Sequence, residues 1–242
     1  MYSPADAPAN KLAVRSRRSV LFAPGSNERA INKARITDAD CIVFDLEDMV
    51  LDDQKQSARM RLVASLAEHG FEPRERIVRV NGIDTPWGLE DIKALAAADI
   101  DAMLVPKIKS VEDLTAYLDA IDAQGGAGLD LWMLAETPRA ILDLDRIVES
   151  TPRLKVIVMG TQDLIKALRI RPDPQRVGLV ALLAHSVVVA RAHGVGIVDG
   201  VFVAVNDDAG FKGICNQGAA LGFDGKALIH PHQVAIANSA FS

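Results

Sequence analysis

The chain has 242 residues, a length that suits two modest domains or one large α/β barrel. Hydrophobic residues make up 49% of the chain and charged residues 24%, so the composition excludes a disordered or fibrous protein. The net charge of −5 provides no domain-wide basic surface, and nucleic acid is therefore not expected as a partner.

Targeting and redox features predict a cytoplasmic protein without a membrane partner. Residues 1–14 are rich in Ala, Pro and Asn and are interpreted as a flexible tail, without the apolar segment of a signal peptide. The longest uncharged apolar stretch, residues 177–190, is shorter than the roughly 20 residues that a bilayer span needs. Cys41 and Cys215 match no metal-binding spacing and are predicted to be buried free thiols in a reducing compartment.

Short apolar runs alternate with longer amphipathic stretches along the rest of the chain. The apolar runs, each predicted to be a β-strand, cover residues 19–23, 41–46, 77–80, 102–105, 131–134, 155–159, 196–198 with a continuation at 201–205, and 227–229. Helices are predicted between them, notably over residues 27–37, 53–68 and 176–193. Ser110 and Thr137, the latter followed by a proline, are typical helix N-terminal caps.

About eight strand–helix units predict a parallel sheet with crossover helices, closed into a single TIM (β/α)8 barrel over residues 15–242. No glycine-rich dinucleotide-binding or nucleotide-binding loop is found, which argues against Rossmann and P-loop folds. Only residues 230–242 follow the last predicted strand, so we expect a short or missing C-terminal lid segment.

Polar residues follow each predicted strand, at the end where the active sites of such barrels lie. They are Ser26, Glu47 with Asp48, Arg79 with Asn81, Lys107, Glu136, Asp163, Asp199 and His230. One strand-end carboxylate alone is typical of a helix cap or a solvated loop. Their joint occurrence predicts a shared site at the mouth of the barrel.

Glu136 and Asp163 are the candidate metal ligands. They follow the fifth and sixth predicted strands, so their carboxylates are expected about 4–5 Å apart. Two like charges at that distance need a counter-ion, and Mg²⁺ prefers carboxylates together with waters or substrate oxygens. The alternative from the residues alone is a pair of helix-terminal carboxylates beside Arg139 or Lys166.

Arg79 and Lys107 are the candidate cations of this mouth. Alternation along its strand places Arg79 on the face opposite to its two valine neighbours. There it can bind a substrate oxygen, form a salt bridge with Glu47 or Asp48, or do both. Lys107 either forms a Schiff base with a ketone substrate or, the favoured interpretation, is an exposed loop residue.

His230 and the basic residues 15–18 are less informative. His230 can act as a general acid or base, but a helix cap is the commoner role for a histidine in such a loop. Residues 15–18 enter the first strand at its amino-terminal end. They can bind phosphate groups at a rim or a subunit interface, or form a solvated charged surface.

A series of motifs resembles the citrate lyase β-subunit-like family, which belongs with the HpcH/HpaI aldolases and malyl-CoA lyases. The motifs occur in the order typical of that family, and the resemblance covers about residues 15–242. They are RSVLFAPGSN (18–27), DLED (45–48), VRVNG (78–82), VPK (105–107), AETP (135–138), GTQDL (160–164), GFDGK (222–226) and IHP (229–231).

The resemblance implies a TIM barrel, usually a homotrimer, that uses one Mg²⁺ per subunit to cleave or form a carbon–carbon bond next to an acyl thioester. Glu136 and Asp163 match the family's metal ligands. Arg79 matches the arginine that steadies the oxygen of the reacting group, and Glu47 matches an acidic residue near the metal waters. The residues implied for coenzyme A binding are Arg18, Pro24, His230 and Pro231.

The implied reaction is retro-Claisen cleavage of a 3-hydroxyacyl-CoA thioester, of the citramalyl-CoA or malyl-CoA type, to a 2-oxo acid and an acyl-CoA. Three alternatives stay open. They are a free-acid 4-hydroxy-2-oxo acid aldolase of the same superfamily, a Schiff-base aldolase acting through Lys107, and a CoA- or metabolite-binding subunit with little catalysis of its own. Gln162 stands where many relatives have an acidic residue, so this loop carries one negative charge less.

Overall fold

Eight parallel strands form a closed barrel in which each strand pairs with the next and the last pairs with the first. The computed structural model describes residues 15–242, so the tail predicted over residues 1–14 lies outside the described residues. The strands are β1 (Ser19–Pro24), β2 (Cys41–Asp45), β3 (Glu75–Arg79), β4 (Ala102–Val105), β5 (Asp130–Ala135), β6 (Leu154–Met159), β7 (Gly196–Asp199) and β8 (Gly225–Leu228). The predicted TIM barrel is confirmed.

Helices connect successive strands and pack on the outside of the barrel. They are α1 (Glu28–Ala34), α2 (Lys55–Ala67), α3 (Gly88–Leu95), α4 (Val111–Ala123), α5 (Pro138–Leu142), α6 (Leu144–Glu149), α7 (Thr161–Ala167), α8 (Val177–His193), α9 (Asp208–Leu221) and α10 (Gln233–Ala240). Two helices follow β5 and two follow β6, whereas the other strands are each followed by one. Within residues 15–242, none of the helices combines the length and the apolar character that a bilayer span requires.

Side chains alternate along each strand between the barrel interior and the helices. The interior is filled by Val20, Phe22, Cys41, Val43, Ile77, Ala102, Leu104, Trp132, Leu134, Val156, Val158, Val198 and Ala227. A second apolar cluster, which includes Val78 and Ile92, packs the strands against the helices. Because the interior is solid, a ligand can reach the barrel only at its ends.

Two predicted helix caps and both predicted thiols are confirmed. The Ser110 hydroxyl accepts a hydrogen bond from the backbone N–H of Asp113, and Thr137 does the same for Ala140. Each side chain satisfies an N–H group that the first helical turn leaves without a partner. The two cysteines are free and buried.

Residues 201–205, predicted to continue the seventh strand, do not form one, because β7 ends at Asp199. A Cβ atom on Gly200 would lie 2.3 Å from the Thr161 hydroxyl oxygen, so the chain passes here with no room for a side chain. The Gly200 carbonyl accepts a hydrogen bond from the buried Lys226 ammonium instead of joining a strand ladder. The valine-rich segment therefore leaves the barrel as a loop at its mouth.

Two predicted helices are shorter than expected. The helix predicted over residues 27–37 ends at Ala34, because the next two N–H groups bond carbonyls only three residues back. The helix predicted over residues 53–68 begins with a 3₁₀ turn at Asp52–Gln54 before α2.

Candidate active site

The carboxyl-terminal end of the barrel, called the mouth below, holds a cavity of about 180 Å³. Phe22, Leu134 and Val158 from the barrel interior contribute apolar surface to it. Charged side chains at or just after the ends of five different strands gather above this surface. They are Glu47 after β2, Arg79 at the end of β3, Lys107 after β4, Glu136 after β5 and Asp163 after β6.

Arg79 is held by a carboxylate that the sequence interpretation did not consider. Its Nε and Nη2 atoms donate to the two oxygens of Asp45, at 2.7 and 2.5 Å, and both side chains are buried. Asp45 also accepts the backbone N–H groups of Glu47 and Met49. The predicted ion pairs are present as well, since Arg79 Nη1 lies 3.0 Å from Glu47 and 3.3 Å from Asp48. The guanidinium is therefore fixed with one edge toward the mouth.

The loop after β2 is anchored by buried polar groups. The Lys55 ammonium donates to the backbone carbonyls of Leu46 and Glu47, at 3.0 and 2.7 Å. The Asn81 amide donates to the Leu46 carbonyl and to Asp91. These hydrogen bonds hold the Glu47 backbone in place and thereby fix the position from which its side chain reaches the mouth.

Three carboxylates, called the carboxylate triad below, surround the ammonium of Lys107. Its Nζ atom lies 3.5 Å from Glu136 Oε1, 3.7 Å from Asp163 Oδ1 and 4.0 Å from Glu47 Oε1. The Lys107 backbone N–H also donates to Glu136 Oε1 at 2.8 Å. The favoured expectation that Lys107 is only an exposed loop residue is therefore wrong. Its side chain is half-exposed, but it reaches into the site.

Burial is the main cause of the raised pKa values of the acidic groups at the mouth. Burial raises the pKa of Glu47 to about 8, because the nearby Arg79 only partly compensates for lost hydration. Burial also raises the pKa of Glu136, against the opposing charge of Lys107. Burial alone would lower the pKa of Lys107, but the surrounding carboxylates raise it.

The carboxylate triad fits a hard divalent cation. Glu47 Oε2 is buried and has no hydrogen-bond partner. Arg79 Nη1 lies 3.0 Å from this oxygen, but its N–H does not point at it closely enough to form a hydrogen bond. Carboxylate oxygens clustered from separate strand ends are the ligand type that Mg²⁺ prefers. Gly160 makes the arrangement possible, because a Cβ atom there would lie 2.2 Å from Glu136 Cβ.

Pro24 is the last residue of β1, and His230 and Pro231 follow β8, so all three lie at the mouth end, as their predicted role requires. The His230 backbone N–H donates to the Gln233 side chain, and its Nδ1 atom lies 2.5 Å from that of His232. No ligand role follows from these contacts alone.

Arg18 lies at the opposite, amino-terminal end of the barrel, where β1 begins. Its guanidinium binds both oxygens of Asp40, each at 2.9 Å. A larger cleft of about 380 Å³ lies at this end, beside Asp40. The structure therefore does not bring Arg18 together with the residues of the mouth, and its charge is already matched by a carboxylate.

Asp45 and Lys107 are the two site residues whose importance the sequence analysis missed. Asp45 and Arg79 lie opposite each other in the register of β2 and β3. Two opposite charges at the ends of neighbouring predicted strands could therefore have predicted this ion pair. Lys107 gave no such signal, because its direction depends on a backbone φ of 57° directly after Pro106.

Comparison with known proteins gives matches over most of the chain. The family model described as HpcH/HpaI aldolase/citrate lyase matches residues 18–231. A (3S)-malyl-CoA thioesterase from Cereibacter sphaeroides is 47% identical over 225 residues, which cover 93% of this chain and 77% of that protein. The mitochondrial citramalyl-CoA lyase of Homo sapiens is 30% identical over 241 residues, covering 93% of this chain and 71% of that protein.

Solved structures show the same architecture. The protein CitE from Mycobacterium tuberculosis, in complex with magnesium, acetoacetate and coenzyme A, superposes with a TM-score of 0.79 at 26% sequence identity. The superposition covers 93% of this chain and 81% of that chain.

Proposed function

This chain belongs to the HpcH/HpaI aldolase/citrate lyase family, and we propose that it is a Mg²⁺-dependent enzyme that cleaves a 3-hydroxyacyl-CoA thioester carrying a carboxylate, of the malyl-CoA or citramalyl-CoA type. Named lyases among the relatives support a carbon–carbon lyase. The observation that carries the proposal is the carboxylate triad, set beside a fixed arginine at the mouth of the barrel.

Glu136 and Asp163 are the proposed protein ligands of the metal. Mg²⁺ bound there would polarise the carboxylate and hydroxyl oxygens of the substrate and hold the developing 2-oxo acid. The magnesium in the CitE complexes supports this assignment. Glu47, with its unbonded Oε2, is the proposed acceptor for a water or a substrate hydroxyl next to the metal position.

Arg79 would stabilise negative charge as the carbon–carbon bond breaks. In the proposed cleavage, the substrate hydroxyl loses its proton and its oxygen becomes the carbonyl of the 2-oxo acid. The electron pair of the broken bond passes to the thioester fragment as an enolate, which is then protonated at carbon to give the acyl-CoA. Asp45 holds the guanidinium before the substrate arrives, so little reorganisation is needed during reaction.

The thioester carrier is proposed to lie across the mouth, where Pro24, His230 and Pro231 are located. Coenzyme A in the CitE complex supports this carrier. Arg18 is not included in this ligand site, because it is paired with Asp40 at the other end of the barrel.

Hydrolysis of the same thioester is a second candidate, favoured by the 47% identity with the malyl-CoA thioesterase. Water would then add to the thioester carbonyl and the carbon–sulfur bond would break, which releases coenzyme A and the free hydroxy acid. The triad and Arg79 suit this reaction too, because it also develops negative charge on an oxygen.

An end-point assay with malyl-CoA and citramalyl-CoA, each with Mg²⁺ and with EDTA, separates the two reactions. We expect Mg²⁺-dependent release of glyoxylate or pyruvate with a matching amount of acyl-CoA and no free thiol. Free thiol without any 2-oxo acid would instead assign the chain as a thioesterase. Turnover that is unchanged in EDTA would contradict the metal assignment. Absence of turnover with both thioesters would contradict the proposed substrate class.

A further inference from the structure

A lysine ammonium lies where the proposed metal would be held. Lys107 Nζ is within 4.0 Å of an oxygen from each member of the carboxylate triad. Within residues 15–242, no other Lys, Arg or His side chain comes within 4.0 Å of Glu136 or Asp163. Lys107 is thus the protein's own counter-ion for these two carboxylates.

The Lys107 backbone is held by a hydrogen bond, whereas its ammonium is held only by the charge of the carboxylates. The backbone N–H is tied to Glu136 at 2.8 Å, and the residue before it is a proline. No hydrogen bond joins the ammonium to any carboxylate of the triad, although its charge is centred among them. The side chain is 41% exposed, so a path to solvent is open. The ammonium can therefore leave the triad without any change in the backbone.

We propose that the Lys107 ammonium and Mg²⁺ compete for one position within the carboxylate triad, so that Lys107 sets the metal affinity of the enzyme. The inference rests on the Mg²⁺ site proposed above. Two cations among the same three carboxylates repel each other, and metal entry therefore requires the ammonium to swing out. Without metal, the ammonium relieves the mutual repulsion of the triad. When Mg²⁺ is bound, the displaced ammonium stays close to the mouth, because the Lys107 backbone remains bonded to Glu136.

The test compares Lys107→Met with Lys109→Met in the full chain. Both variants lose one lysine charge, but Lys109 is exposed and lies two residues away, outside the triad. Mg²⁺ affinity is measured by calorimetry, and the melting temperature is measured in EDTA and in excess Mg²⁺. We expect Lys107→Met to bind Mg²⁺ about tenfold more tightly or better, corresponding to about 1.4 kcal/mol. We also expect it to melt lower in EDTA and to gain more from Mg²⁺ than the wild type does.

A double variant, Lys107→Met with Asp163→Asn, provides the rescue control. It removes one negative charge from the triad together with the ammonium, so its melting temperature in EDTA should return toward the wild-type value. This variant keeps the test informative if Lys107→Met alone unfolds without metal.

Equal Mg²⁺ affinity in the wild type, Lys107→Met and Lys109→Met would overturn the competition and leave the proposed function standing. Weaker Mg²⁺ binding by Lys107→Met would overturn it too, because Lys107 would then assist the metal. Absence of Mg²⁺ binding in all three proteins would overturn the competition together with the metal site.

Discussion

The two ends of the barrel differ in how their charged side chains are paired. At the amino-terminal end, the arginines that precede a strand are paired with carboxylates on neighbouring segments, except Arg74, whose guanidinium donates to backbone carbonyls. Arg17 binds both oxygens of Glu75, and Arg18 binds both oxygens of Asp40. These two pairs leave neither guanidinium available for a ligand.

The mouth has the opposite balance. After β2 to β6, only two cations, Arg79 and Lys107, face five carboxylates, those of Asp45, Glu47, Asp48, Glu136 and Asp163. Asp199, at the end of β7, is paired separately with Arg176 and Lys226. Paired charge at one end stabilises the fold, whereas the negative charge at the other end suits the proposed Mg²⁺, which would in turn hold an anionic substrate. The comparison therefore separates residues whose loss should harm stability from residues whose loss should harm activity.

The largest effect is expected for Asp163→Asn, which removes a proposed metal ligand at the mouth. Mg²⁺-dependent turnover should fall by more than the roughly 10- to 100-fold that is typical for loss of an outer-shell partner. The fold should be intact, because Asp163 is half-exposed and makes only one ion pair. Turnover and melting temperature are measured beside Asp119→Asn, an exposed carboxylate on α4. Wild-type turnover in Asp163→Asn would contradict the metal assignment.

Arg79→Lys should lower kcat/KM by about a hundredfold, the scale of losing one positioned donor. A lysine has a single charged nitrogen, so it cannot bind both Asp45 oxygens and also face Glu47. Steady-state kinetics of this variant should show that the loss lies mainly in kcat. A change confined to KM would mean that Arg79 only binds the substrate.

The amino-terminal end should respond in stability instead. Arg17→Met leaves the buried Glu75 carboxylate without its ion-pair partner and should cost about 3 kcal/mol of unfolding free energy. Arg15→Met removes a more exposed pair with Asp101 and should cost less than about 1 kcal/mol. Urea unfolding measures both. Turnover per folded molecule should match that of the wild type in both variants. A large loss of turnover in Arg17→Met would contradict the assignment of the amino-terminal end to stability and of the mouth to activity.

The smallest expected effect is an acid-side loss of stability from the same end. Arg18 holds the pKa of Asp40 below its usual range, and Arg15 and Arg76 do so for Asp101, against the opposing effect of burial. The stabilisation is therefore complete above the unfolded-state value of about 3.9 and is lost as the pH falls through the lower folded-state values. Urea midpoints measured from about pH 5 downward should fall. Arg18→Met should flatten that fall, and an identical slope would contradict the role given to Asp40.

Local patterns were enough to predict the barrel and most of its mouth. The four apolar residues of β4 were placed to the residue, and Ser110 and Thr137 marked their helices, because a capping side chain acts within three residues. Alternation correctly turned Arg79 toward the interior, since the side-chain period of a strand is fixed. The ion pair of Arg79 with Glu47 was likewise predictable from neighbouring strand ends.

The remaining features depend on contacts that no local pattern encodes. Lys107 reaches the triad through a left-handed backbone conformation and a hydrogen bond to a residue 29 positions away. The valine-rich segment after β7 has high strand propensity, yet Gly200 and the buried Lys226 turn it out of the barrel. In both places tertiary packing decides against the local preference.

Gly160 constrains any effort to redesign the substrate range of this enzyme. Its backbone touches Glu136 so closely that even alanine there would shift a proposed metal ligand by displacing the tip of β5 from that of β6. A mutant library should therefore hold position 160 constant and diversify Met49 and Gln162, which line the cavity without such a contact. Substitutions at those two positions can change the space for the acyl group, whereas a side chain at position 160 would move Glu136.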